Sequence, residues 1–114
     1  YKMSCEDIRL ELPAKAEYTT SLRLLASGIA SRAGFDVDTM EDIKLVVSEM
    51  LVMAIKDDFE KFVTHIRLCD QFLSIFSLVE EDQKDDLSIK IMEALCDELE
   101  IQEDSVCVKF KRGA

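Results

Sequence analysis

The sequence predicts an α+β two-layer sandwich, a mixed and mainly antiparallel sheet of about five strands with three helices on one face. Three observations predict it. The apolar spacing switches between period 2 and period 3.6 along the chain. Two short apolar segments flank Asp70-Gln71 in the manner of a β-hairpin. The elements read in the order β, α, α, β, β, α, β, β, so neighbouring strands are joined by hairpins more often than by crossovers.

Ile8, Leu10 and Leu12 alternate with Arg9 and Glu11, which predicts a first strand ended by Pro13. From Ala16 the period changes. Tyr18, Leu22, Leu25 and Ile29 share one helical face, and Gly34 is a suitable residue just past the helix end. Asp38 and Glu41 have the spacing of a capping box and predict the start of a second helix. Its stripe is Ile43, Val47, Met50 and Ala54. Leu45, Val46, Leu51, Val52, Met53 and Ile55 make the helix apolar nearly all round to about Lys56, the mark of a helix buried on several sides.

Phe62–Cys69 and Phe72–Val79 are the two arms of the expected hairpin. The acidic run from Glu80 to Asp86 reads as a solvated connection, with Asp86 capping a third helix from Leu87 to about Glu98. Strands are expected over Glu100–Gln102 and Ser105–Lys111, the second with Val106, Val108 and Phe110 pointing one way.

A chain of 114 residues with three glycines and one proline has room for one domain, spanning 1–114, and little room for linker. Its net charge of -10, from 24 acidic and 14 basic residues, repels phosphate backbones and anionic membrane surfaces. Nucleic acid and membrane are therefore not expected as partners. No apolar run approaches the ~20 residues of a membrane span, and no signal peptide is expected. The four cysteines, at 5, 69, 96 and 107, include no C-x-x-C spacing. Cys69, Cys96 and Cys107 lie in apolar or half-apolar segments and read as free thiols acting as small hydrophobes, which suits a reducing cytoplasm. His65, alone on its strand, reads as a surface residue, and Met50, Met53 and Met92 read as core filler.

Three stretches carry a family resemblance. Leu12-Pro13-Ala14-Lys15-Ala16-Glu17-Tyr18, with Leu22-Arg23-Leu24 and Ser27 to Gly34, resembles the start of the anti-sigma-factor serine kinases of the RsbW type. Glu41 to Glu49 resembles their second helix, and Leu87 to Leu99 their last. The resemblance implies the GHKL (Bergerat) ATPase fold. It also implies bacterial transcription regulation through a sigma factor and an anti-anti-sigma antagonist, and often a homodimer.

The family's chemistry rests on three motifs, and each is damaged here. A Glu followed four residues later by Asn would orient the attacking group and hold Mg²⁺. Glu49 is present, but Met53 stands at the Asn position, and a thioether is no ligand for a hard cation. An Asp in a D-x-G segment would read adenine. Val79 stands at the Asp and Glu81 at the glycine. A glycine-rich lid and turn would cradle the phosphates, and Asp86-Leu87-Ser88 replaces that turn. The lid itself is missing, since only about seven residues join Val79 to Leu87.

The expectation is a cytoplasmic, nucleotide-independent regulatory module that binds protein, with no cofactor and with Glu49 as a remnant of the catalytic base. Arg23 and Arg32, on the exposed side of the first helix, are the expected partner face. The alternative is a divergent ATP-binding serine/threonine kinase that uses Glu49. A structural or sensory subdomain of a larger assembly is the third reading.

Overall fold

Gly34 and Asp36 set the corner from which the helical layer is built. The computed structural model describes residues 4–79 and 86–113, with the side chain of Asp86 left undescribed. Strand β1 (Cys5–Pro13) leads through a 3-10 turn at Ala16–Tyr18 into helix α1 (Thr19–Arg32). Gly34, at φ 87°, takes the left-handed conformation that turns the chain out of α1. Asp36 then caps α2 (Val37–Lys56), its carboxylate accepting the Thr39 N–H at 2.8 Å. The cap therefore lies two residues before the expected Asp38. Asp38 sits inside the first turn, where its charge still favours the helix N-terminus.

Strands β2 (Lys61–Cys69) and β3 (Phe72–Leu78) form the expected hairpin around Asp70-Gln71. Helix α3 (Asp86–Leu95) is followed by β4 (Glu98–Gln102) and β5 (Ser105–Lys111). The helix ends earlier than the expected Glu98. The Asp97 N–H donates to the Lys109 carbonyl at 2.9 Å, and the Asp97 carboxylate accepts the Lys111 N–H at 2.7 Å. Both bonds draw the chain into the sheet beside β5, and helical spacing in the sequence carries no record of them.

The five strands are ordered β1-β2-β3-β5-β4, and every adjacent pair is antiparallel. The expected mixed character is thus absent from the described strands. Ile66, Ile75 and Val108 stand in register across the three central strands, and all three are buried. So are Phe62, Leu73, Val106 and Phe110, which alternate with them on the same face. Fully burying side chains of this size contributes about 1.5–3 kcal/mol each. The helices supply Leu22, Ala26, Ile43, Val47, Met50 and Met92 to the same core. On the opposite sheet face, the in-register row of His65, Phe76 and Cys107 is only half-buried.

The cysteine reading is corrected. Cys5 and Cys69 are bonded to each other, with Cα atoms 4.1 Å apart, while Cys96 and Cys107 are free. The register places Cys5 directly opposite Cys69. Two residues separated by 64 positions in sequence are made neighbours by strand pairing alone.

Candidate functional site

Of the residues expected at the nucleotide cleft, Glu49, Met53, Val79 and Ser88 lie where α2, α3 and the end of β3 meet. Glu49 and Met53 lie one turn apart on α2, with Glu49 half-buried and Met53 fully buried. Val79 follows β3 and is also buried, its N–H donating to the Asp104 carbonyl at 2.9 Å. Ser88, in the first turn of α3, is 2% exposed and donates its hydroxyl to Glu49 Oε1 at 2.7 Å. Met53, Val79 and Met92 belong to one continuous apolar core with Met50. The Ser77 hydroxyl, pointing into that core, bonds the Met50 sulfur at 3.4 Å.

This geometry gives Glu49 a fixed structural partner. A hydrogen bond to a charged group contributes about 1.5–3 kcal/mol when protected from water. Here it ties α3 to α2 and uses the carboxylate oxygen that faces α3. Ser88 was expected only as a substitute in the phosphate turn; its tie to Glu49 is what the sequence reading missed. The available signal was a serine on the stripe that also holds Met92, since a polar group on an apolar face requires a partner.

A magnesium–triphosphate requires oxygen ligands for its metal and hydrogen-bond donors for its phosphates. The Met53 thioether is buried among apolar side chains and is no ligand for Mg²⁺. The Val79 side chain carries no acceptor for an adenine amino group. The Ser88 hydroxyl is committed to Glu49. Among the described residues, the Met53 and Val79 side chains offer neither a ligand for Mg²⁺ nor an acceptor for adenine. Glu81 and the acidic run up to residue 85, including the expected absence of a lid, lie outside the described residues. Asp86 opens α3 with its backbone.

Arg23 and Arg32 are both exposed on α1. They do not share one patch. Arg23 lines a shallow groove of about 200 Å³ with Thr20, Leu24 and Lys44. Arg32 lies near the α1 C-terminus, in a depression with Glu6, Asp70 and Arg112. Leu24, 68% exposed, is the residue on this surface that the sequence reading passed over. His65 stands on the open sheet face, its Nδ1 3.4 Å from the Asp7 carboxylate and its ring edge-on to Phe76. Among the described residues, no group of three or more His, Cys, Asp or Glu could hold a metal ion. No helix among them is long and apolar enough to cross a membrane.

The chain thus sets a three-helix layer on a five-stranded antiparallel sheet, with Glu49 on the second helix facing the last helix. No family model matches the chain. A serine-protein kinase RsbW of Listeria monocytogenes is 49% identical over 55 residues, covering 48% of this chain and 35% of that protein. The RsbW of Bacillus mycoides is 36% identical over 76 residues, covering 67% of this chain and 44% of that protein. The crystal structure of the RsbU and RsbW domains of a Mycobacterium tuberculosis protein matches with a TM-score of 0.74 at 17% identity, over 96% of this chain and 34% of that one. Sequence and fold together place the chain with the RsbW-like anti-sigma-factor kinase family. The matched stretches span less than half the length of these curated relatives.

Proposed function

We propose that this chain is a cytoplasmic regulatory module of the anti-sigma kind, a single degenerate domain that binds protein without using a nucleotide. The observation that carries the reading is the Ser88–Glu49 hydrogen bond set against buried Met53 and Val79. The group that would activate a substrate hydroxyl is held by a neighbouring helix. The positions that would grip metal and base are apolar and packed. With those groups gone, what the domain retains of an RsbW is its surface.

The partner is a protein, by analogy with RsbW a sigma factor or its anti-anti-sigma antagonist, and a second copy of the chain is a further candidate. The surface of α1 supports this role. Leu24 supplies an apolar contact with Arg23 and Lys44 beside it, and Arg32 provides a further positive charge. Lys44 is ion-paired with Glu41 at 2.9 Å, so Arg23 is the cation beside Leu24 that would meet a carboxylate of the partner.

Thermal melting with and without millimolar Mg-ATP tests the nucleotide half of this reading. A ligand at 100 times its dissociation constant adds about 2.7 kcal/mol, a rise of several degrees in a domain this size. We expect no rise, and a clear one would restore the kinase reading. Affinity capture with the tagged chain tests the other half. Recovery of a sigma factor or its antagonist, lost on Arg23→Glu, is the expected result. Recovery of neither overturns it.

A further inference from the structure

The Cys5–Cys69 bond lies far from the Glu49 site and has no part in the function argued so far. It joins the first residue of the edge strand β1 to the last residue of β2. The two residues differ sharply in access. Cys5 is exposed, while Cys69 is 1% exposed. Cys69 is also anchored from behind. The Arg112 guanidinium donates to the Cys69 carbonyl at 2.7 Å and to the Ala33 carbonyl at 3.2 Å. The Arg112 N–H donates to the Gln71 carbonyl at 2.9 Å. A single arginine thus connects the disulfide-bearing strand end to the C-terminal end of α1, beside Arg32.

Strand β1 forms one edge of the sheet. It pairs on one side only, and Ile8, Leu10 and Leu12 are half-buried where their counterparts in β2 and β3 are buried. Although Ile8, Leu10 and Leu12 pack against the core, an edge strand paired on one side opens locally at lower cost than a central strand. The remaining cysteines are poorly suited to exchange. Burial pushes the thiols of Cys96 and Cys107 above their ordinary range, with Asp97 and Glu93 adding to the effect at Cys96.

We propose that Cys5 and Cys69 are a reversible redox couple, a clasp that fastens β1 to the sheet and, through Arg112, steadies the C-terminal end of α1. Closing is thiol–disulfide exchange with an external disulfide such as oxidised glutathione. The Cys5 thiolate attacks one sulfur of that disulfide, forming a mixed disulfide and releasing one thiol. The Cys69 thiolate then attacks Cys5 Sγ and expels the second thiol. Two protein thiols and one external disulfide become one protein disulfide and two external thiols. Opening is the reverse, begun by an external thiolate at Cys5. In a reducing compartment such a pair serves sensing rather than permanent cross-linking. The inference stands whether or not α1 is the partner face.

The test equilibrates the full chain in glutathione buffers from fully reduced to fully oxidised, followed by acid quenching, alkylation in denaturant and peptide mass spectrometry. Cys5 and Cys69 are expected to lose alkylation together, while Cys96 and Cys107 stay reactive. Oxidation should raise the melting temperature by roughly 10 °C, given the 64-residue separation. Amide exchange should slow about tenfold or more near Cys5 and near Ala33. Cys5→Ser should abolish all three responses. Should that variant fold poorly, reductant added to the native chain gives the same comparison. Stable glutathione adducts on Cys5, pairing of Cys96 or Cys107 instead, or equal melting in both buffers would each overturn the proposal. Exchange that slows near Cys5 but not near Ala33 overturns the coupling to α1.

Discussion

Ser88 and Glu49, 39 positions apart in sequence, are joined by a 2.7 Å hydrogen bond across the contact of α3 with α2. In an RsbW-type enzyme the glutamate would face its substrate; here its carboxylate receives a serine hydroxyl. Removing that hydroxyl leaves a half-buried carboxylate without this donor. Ser88→Ala should therefore lower the unfolding free energy by about 1–2 kcal/mol in a urea titration. Glu49→Gln keeps an acceptor for Ser88 and should cost less. Equal and negligible losses in both variants would show that the bond holds nothing together.

Met53 offers a test of the packing between α2 and the sheet. Met53→Asn restores the residue type a magnesium site requires, but places an amide among fully buried apolar side chains. The expected cost is about 2–4 kcal/mol, against less than about 1.5 kcal/mol for Met53→Leu. Equilibrium denaturation of the two variants gives the comparison. Mg-ATP should not raise the melting temperature of Met53→Asn, because Val79 and the committed Ser88 remain.

How much of this was legible in the sequence depends on the range of the forces involved. Strand β1, the β2–β3 hairpin and the apolar body of α2 follow from local periodicity, which requires no knowledge of the rest of the chain. The burial of Met53 and Val79 was legible from their apolar side chains. What was not legible are contacts made by register. The end of α3 is set by the bonds of Asp97 to Lys109 and Lys111. The Cys5–Cys69 pair exists because β1 and β2 align those two residues. The Ser88–Glu49 bond depends on how two helices cross. The cap of α2 is a different case. Asp36 and Asp38 are both competent, and the left-handed turn at Gly34 determines which one meets the helix start.

That cap predicts a pH dependence. The Thr39 N–H, followed by the Thr39 side chain, holds the Asp36 carboxyl below the usual carboxylate range. A lowered folded-state pKa means the unfolded chain binds the proton more readily. The stabilisation is therefore present above the ordinary carboxylate pKa and is lost as pH falls through the lower folded value. The urea midpoint of the native chain should drop below about pH 4 with a component that Asp36→Asn lacks. The asparagine variant retains a cap acceptor, so the two should be close in stability at neutral pH. Identical acid limbs would remove Asp36 from the account.

Gly28 and Gly34 should respond to alanine with opposite signs, although a Cβ added at either meets nothing within 4 Å. Gly28 lies in the interior of α1 with ordinary helical backbone, so Gly28→Ala reduces the entropy of the unfolded chain and improves helix propensity. It should stabilise by about 0.5–1 kcal/mol. Gly34 sits at φ 87°, which an alanine reaches only with strain, and Gly34→Ala should destabilise by about 1–2 kcal/mol. With steric crowding equal and negligible at both sites, the difference in sign isolates the backbone term. Thermal or urea unfolding of the two variants measures it. A stabilising Gly34→Ala would mean that the corner between α1 and α2 does not require the left-handed residue, and the placement of the Asp36 cap would then need another cause.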